Sequence, residues 1–250
     1  MTVRICIGTE PKTEIARKVL EHSILRHTDA EVEFHPMSSA DRPDSLRGRT
    51  GFSLERWSLP ERFGYEGKAL YLDADQLVFG DVLELWNSDE RHPKEGCAVW
   101  CVPENSHWLT SVMLVDNERA RDWPTMDELA HHLVTAPGRR RFHYRRLMTG
   151  RRLDPSPGFL EETWNHLDTF VPGETRLLHF TNRRTQPWFY ARHPLAHLWG
   201  EALVAALADG AVDEDEVLAA CADFRVGRNG FAESGLDPHW AGLVRERQAV

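Results

Sequence analysis

Residues 69–75 read ALYLDAD. The first five form a continuous apolar run that ends in an acid, the pattern of a central strand buried on both faces of a parallel sheet. At the carboxyl end of such a strand, side chains project into the crevice where open α/β sheets take their ligands. Asp73 and Asp75 would repel each other in a poorly solvated cleft, and a hard divalent cation relieves that repulsion through oxygen ligands. The competing reading is two ordinary surface acids in a β-turn, and the preceding LYL weighs against it.

Outward from this stretch, residues 3–8 (VRICIG) read as a strand, Gly8 opens a turn, and Pro11 suits the first turn of a helix. Ile15, Ala16, Val19, Leu20 and Ile24 then recur on one helical face to about His27. Residues 31–36 (EVEFHP) alternate as a second strand. A β-α-β opening favours an α/β sheet flanked by helices. Residues 37–51 are polar and turn-rich, 53–63 look helical, and 97–102 (CAVWCV) and 111–116 (SVMLVD) are further buried strands. Thr125 and Glu128 form a capping box ahead of a helix carrying Leu129 and Leu133. Past residue 194 the pattern turns helical, most clearly over 198–225, and the last 25 residues carry little pattern. The expected organisation is one main domain over 1–194 and a helical C-terminal appendage over 195–250.

The chain has 250 residues, 41% hydrophobic and 28% charged, an ordinary globular balance. Its net charge of -9 disfavours nonspecific contact with nucleic acid or anionic membrane. No run approaches eighteen apolar residues, so no transmembrane segment is expected, and without a secretion signal a cytoplasmic location is the default. Cys97 and Cys101 lack a second pair to complete a zinc site and read as buried free thiols.

His179 lies in LLHFTNRRTQPW, between residues that look buried. A neutral imidazole there could supply a third metal ligand, and an Asp-plus-His donor set suits Mn²⁺ slightly better than Mg²⁺. On spacing alone, a hydrogen-bonded core histidine is the stronger reading. The arginine run RRRFHYRR (139–146), followed by Arg151 and Arg152, could grip an anionic acceptor or a diphosphate, or simply form a solvated face.

Taken together, these segments resemble the retaining glycosyltransferases of family 8, the family of glycogenin and the bacterial lipopolysaccharide galactosyltransferases, with a GT-A fold. The resemblance rests on ICIGTE with the helix after it, on FSLERWSLPERFGYEGKALYLDADQLVFGDVLELW, on TSVMLVD, on Trp164-Asn165 and on HFTNRRTQPW. It covers roughly residues 3–190.

The resemblance implies a catalytic domain over 1–194 that binds a nucleotide sugar, a UDP-sugar in particular, and transfers the sugar to a hydroxyl acceptor. It implies Mn²⁺, or Mg²⁺ in its place, on Asp73, Asp75 and His179. Arg56 would contact phosphate or Asp73, and Gly8, Thr9 and Glu10 would lie near the base or ribose. The chain departs from the family pattern in several places: the closing motif is one residue longer, with Asn182 where glycine is usual, and the usual aromatic at the start of the first helix is missing. Leu109-Thr110-Ser111 stands where Asn-Ala-Gly is usual, so Thr110 or Ser111 would meet the donor sugar. Gln186 replaces the lysine before Pro-Trp near the diphosphate, a charge that Arg183 or Arg184 would restore. Asp154, Glu161 and Glu162 are candidates for acceptor contact.

Two other functions compete. A haloacid-dehalogenase-like phosphatase also places DxD after an apolar strand, but Leu77 stands where threonine or valine is usual, and no late lysine follows a suitable strand. A non-catalytic nucleotide-sugar-binding protein would account for the altered motif positions.

Overall fold

A computed structural model describes residues 2–38, 52–135, 145, 147–150, 156–227 and 232–248. The chain divides into two compact units, one of residues 1–10, 28–73 and 81–165, the other of 11–27, 74–80 and 166–250.

The first unit is built on a six-stranded sheet among the described residues. Its strands are β1 (Thr2–Gly8), β2 (Glu31–Met37), β3 (Lys68–Asp73), β5 (Val99–Glu104), β6 (His107–Asp116) and β7 (Gly158–Phe159), in the order β2-β1-β3-β6-β5-β7. β1 runs parallel to β2 and β3, and β7 parallel to β5, while β6 is antiparallel to both neighbours. The mixed, mostly parallel sheet flanked by helices, followed by a helical C-terminal region, is the architecture the sequence leads one to expect.

Sequence explains the strand order. Between Lys68 and Asp73 at its ends, β3 is an unbroken run of Ala69, Leu70, Tyr71 and Leu72 because both its faces are covered, and all four are fully buried. β2 alternates and carries Pro36, which a strand tolerates at an edge where its missing N–H serves no ladder.

Several elements differ from the sequence reading. β3 is parallel to β1 on one side only, since β6 pairs with it antiparallel in the register Lys68↔Asp116. Asp116 therefore lies at the opposite end of the sheet from Asp73. The expected helix over 53–63 is two short turns, Glu55–Trp57 and Leu59–Arg62, with Pro60 inside the second. β5 starts and ends two residues later than expected, β6 begins four residues earlier, and the two form a hairpin with Asn105 in the left-handed region (φ 50°) at its tip. The capping box is present: the Thr125 N–H donates to Glu128 Oε2 (2.8 Å), and the Glu128 N–H to Thr125 Oγ1 (3.3 Å).

The second unit contains α1 (Glu14–Leu25) and a three-stranded sheet of β4 (Gln76–Val78), β9 (Leu177–His179) and β8 (His166–Leu167). Among the described residues it also holds three C-terminal helices, α6 (Ala196–Ala208), α7 (Glu214–Ala222) and α8 (His239–Gln248), and a small antiparallel pair, Arg225–Val226 with Ala232–Ser234. α1 places Ile15, Ala16 and Val19 in the same core as Leu77, Leu178, Phe180, Leu203 and Val244. Trp188, Trp199 and Trp240 form the aromatic centre, with successive ring centroids 5.9 and 5.0 Å apart. The last residues, which carried little pattern, form α8, and its Trp240 and Val244 are buried. Their apolar residues are few, so the hydrophobic period is weak, and tertiary packing holds the helix instead.

Leu203 is fully buried in this core. Leu203→Ala removes several methyl groups and leaves a cavity, so chemical denaturation should show a loss of about 2–5 kcal/mol.

Candidate functional site

Asp73 closes β3, and its carboxylate is held from two sides. Tyr71, two residues earlier and so on the same strand face, donates its hydroxyl to Asp73 Oδ1 at 2.7 Å. Arg56 Nη2 donates to Oδ1 at 2.9 Å and Oδ2 at 3.2 Å, and its guanidinium carbon sits 4.7 Å from the centre of the Tyr71 ring. The Arg56 fork is itself anchored, Nε to the Ser53 carbonyl at 2.9 Å and Nη1 to Thr110 Oγ1 at 3.1 Å and to the Thr110 carbonyl. Thr110 Oγ1 donates onward to the Met148 carbonyl at 2.9 Å. This buried ion pair is fully hydrogen-bonded, the condition under which such a pair is tolerated.

Gly8 makes that arrangement possible. It pairs with Asp73 in the β1–β3 register, and a Cβ on it would fall 2.1 Å from the Tyr71 hydroxyl and 2.5 Å from Phe52. The glycine thus makes room for the hydroxyl that reaches Asp73.

Asp75 is positioned differently. β4 follows it directly and pairs antiparallel with β9 in the register Gln76↔His179. That ladder brings a histidine from far along the chain to the acidic pair. His179 Nε2 lies 3.2 Å from Asp75 Oδ1, and His179 is only 8% exposed. The two atoms do not make a hydrogen bond, and Asp75 Oδ1 is buried with no hydrogen-bond partner among the described residues. The other carboxylate oxygen, Oδ2, accepts from Gln186 Nε2 at 2.8 Å.

Asp73, Asp75 and His179 each offer one ligand atom, and the three atoms lie within 4.8 Å of one another. Bound at about 2.0–2.2 Å from a common cation and at right angles, two ligand atoms stand roughly 3 Å apart. The 3.2 Å separation of Nε2 and Oδ1 matches that spacing. The orphaned buried oxygen and the mixed oxygen and imidazole donors also fit a divalent cation. The cluster can coordinate one.

The remaining expected site residues fall in separate places. Thr9 is buried, its N–H donating to the Met37 carbonyl at 2.9 Å, and Glu10 is half-buried beside it. Thr110 serves Arg56, and Ser111 Oγ accepts from Asn165 Nδ2 at 3.0 Å. Gln186 contacts Asp75. Arg183 and Arg184 are exposed. Glu161 is half-buried near Arg91 (3.7 Å), and Glu162 is exposed. Asp154, Arg139–Arg141, Arg146, Arg151 and Arg152 lie outside the described residues.

Sequence reasoning missed Tyr71 as a partner of Asp73, although strand spacing of two puts them on one face. It also missed the role of Asn165, for which only structure brings the partner. The four cysteines are buried free thiols, as expected, and burial pushes the Cys6 thiol up to about 12.

No protein-family profile matches the chain. A stretch of 90 residues, 33% of the chain, is 34% identical to Protein CDI of Arabidopsis thaliana and covers 35% of that protein. Another match of 77 residues, 29% of the chain, is 39% identical to the human Glycosyltransferase 8 domain-containing protein 2 and covers 22% of it. The chain thus spans about a third or less of the length of these relatives.

Among solved structures, the galactosyltransferase LgtC in complex with donor and acceptor sugar analogs superposes with a TM-score of 0.59 at 14% identity, over 84% of this chain and 100% of LgtC. Apo glycosyltransferase GlyE of Streptococcus pneumoniae TIGR4 gives 0.56 at 14% identity, over 84% of this chain and 64% of GlyE. The chain has the GT-A-like fold of these glycosyltransferases. No helix among the described residues is long and apolar enough to cross a membrane.

Tyr71→Phe keeps the ring over Arg56 and removes one bond to a buried carboxylate. Denaturant melts should show a loss of roughly 1.5–3 kcal/mol. Gly8→Ala should destabilise as well, because the Tyr71 hydroxyl must leave Asp73; an unchanged melt for both variants contradicts the network.

Proposed function

We propose that this protein is a divalent-metal-dependent glycosyltransferase of the family 8 type. It moves a sugar, with retention of anomeric configuration, from a nucleotide-sugar donor, a UDP-sugar in particular, to an acceptor hydroxyl. One observation carries the reading: a buried carboxylate oxygen of Asp75 without a hydrogen-bond partner, 3.2 Å from the imidazole Nε2 of His179. The GT-A-like fold and the 39% identical stretch support it.

Asp73, Asp75 and His179 would hold Mn²⁺, or Mg²⁺ in its place. When bound, the cation offsets the charge that grows on the departing diphosphate. The protein supplies the geometry. Arg56 and Tyr71 keep the Asp73 carboxylate aimed, so its ligand atom needs no rearrangement when the site fills. His179 would offer an imidazole nitrogen lone pair. In our reading, Gly8, Thr9 and Glu10 flank the nucleoside and Thr110 and Ser111 border the sugar. The donor C1–O bond breaks, the acceptor oxygen bonds to C1, and the acceptor proton passes to the leaving phosphate oxygen. Attack by the acceptor oxygen on the face that the phosphate leaves retains the configuration, as do two successive inversions through a short-lived covalent species.

The phosphatase alternative needs Asp73 free as a nucleophile, whereas its carboxylate is clamped by Arg56 and Tyr71. A purely binding role is separated by turnover: release of UDP from a UDP-sugar in the presence of Mn²⁺ supports the transferase, and tight binding without turnover on any donor supports the alternative.

Calorimetric titration should show UDP binding that requires Mn²⁺ and vanishes in Asp75→Ala while the thermal melt of the metal-free protein is kept. Unchanged affinity in that variant contradicts the assignment. His179→Ala should weaken Mn²⁺ binding by more than the roughly 10–100-fold typical of residues behind the ligands.

A further inference from the structure

Gln186 is 5% exposed and spends its side-chain amide on two acceptors. Nε2 donates to Asp75 Oδ2 at 2.8 Å and to the Phe180 carbonyl at 3.0 Å. Both partners can only accept, so the NH₂ end of the amide must face them, which settles its orientation. The Phe180 N–H in turn donates to the Asp75 carbonyl at 2.9 Å. Asp75 is therefore held at backbone and side chain by one short segment, Phe180 to Gln186.

That segment is firmly mounted. The Gln186 carbonyl accepts from the Phe189 and Tyr190 N–H groups at 2.9 and 3.0 Å. Next in the chain, the Pro187 carbonyl accepts from Trp240 Nε1 at 3.2 Å, and Trp188 is fully buried in the tryptophan centre. From this base the amide engages only Oδ2. Oδ1 is left without a hydrogen bond and turned toward His179 Nε2.

We infer that Gln186 is a positioning residue for the metal site: its amide fixes the Asp75 rotamer and occupies one carboxylate oxygen, reserving the other for a divalent cation. This rests on the metal-site reading proposed above, and it gives Gln186 a task other than contact with the donor diphosphate. Being neutral, the amide orients the carboxylate without cancelling the charge that attracts the cation. An ammonium at the same distance would compete with it.

The test uses Mn²⁺ alone, with the full chain and no nucleotide. Mn²⁺ dissociation constants are measured by electron paramagnetic resonance of free ion, beside thermal melts of the metal-free protein. Gln186→Met keeps the side-chain length and removes both donors. It should weaken Mn²⁺ binding about 10–100-fold. Leu203→Ala, a cavity in the same core, should lower the melt and leave Mn²⁺ affinity as in the unaltered protein.

Wild-type Mn²⁺ affinity in Gln186→Met overturns the inference while the metal site stands. Equal weakening by Leu203→Ala overturns it too, because Gln186 would then act only through general stability. A folded, unaltered protein that binds no Mn²⁺ removes the metal site and this role together.

Discussion

The structure turns on one buried carboxylate oxygen, Asp75 Oδ1, that accepts no hydrogen bond among the described residues. In the buried cluster at the end of β3, Asp73 is matched by Arg56 and by the Tyr71 hydroxyl. Asp75, two residues on, contacts the Gln186 amide and the His179 imidazole. A buried acceptor oxygen left without a hydrogen bond is expensive. The position of that oxygen 3.2 Å from His179 Nε2, in a cluster with Asp73, suits a divalent cation.

The surrounding frame serves to keep that arrangement from relaxing. The β4–β9 ladder, the Phe180 N–H bond to the Asp75 carbonyl and the Gln186 amide hold Asp75 in place. Behind them stand Phe180, Trp188, Trp199 and Trp240, large rings packed edge to face and tilted, whose burial makes the mount stiff. Gly8 gives up a side chain so that Tyr71 can reach Asp73.

Much of this was legible in the sequence, for identifiable reasons. The strands β1, β2 and β3 and helix α1 were readable because their apolar spacing is local. Asp73 and Asp75 stood out because they follow a buried apolar run, at the strand end where open α/β sheets take their ligands. The structure also places His179 beside them, though spacing alone favoured a core histidine. The pairing of Gln76 with His179 was not legible, since a three-residue ladder joins segments about a hundred residues apart and leaves no period to detect. For the same reason the contact of Gln186 with Asp75 was not legible: only three-dimensional closure brings the two together. The β5–β6 hairpin escaped notice because its turn uses Asn105 in place of the glycine that usually marks one. Helix α8 was obscure because it is held by Trp240 and Val244 rather than by a strong amphipathic stripe.

The account is tested most directly by diffraction from crystals soaked with MnCl₂ and UDP, recorded at the manganese absorption edge. It predicts one anomalous peak at about 2.0–2.3 Å from a carboxylate oxygen of Asp73, from Asp75 Oδ1 and from His179 Nε2. A peak held by other residues, or ordered UDP with no peak at this cluster, would contradict it.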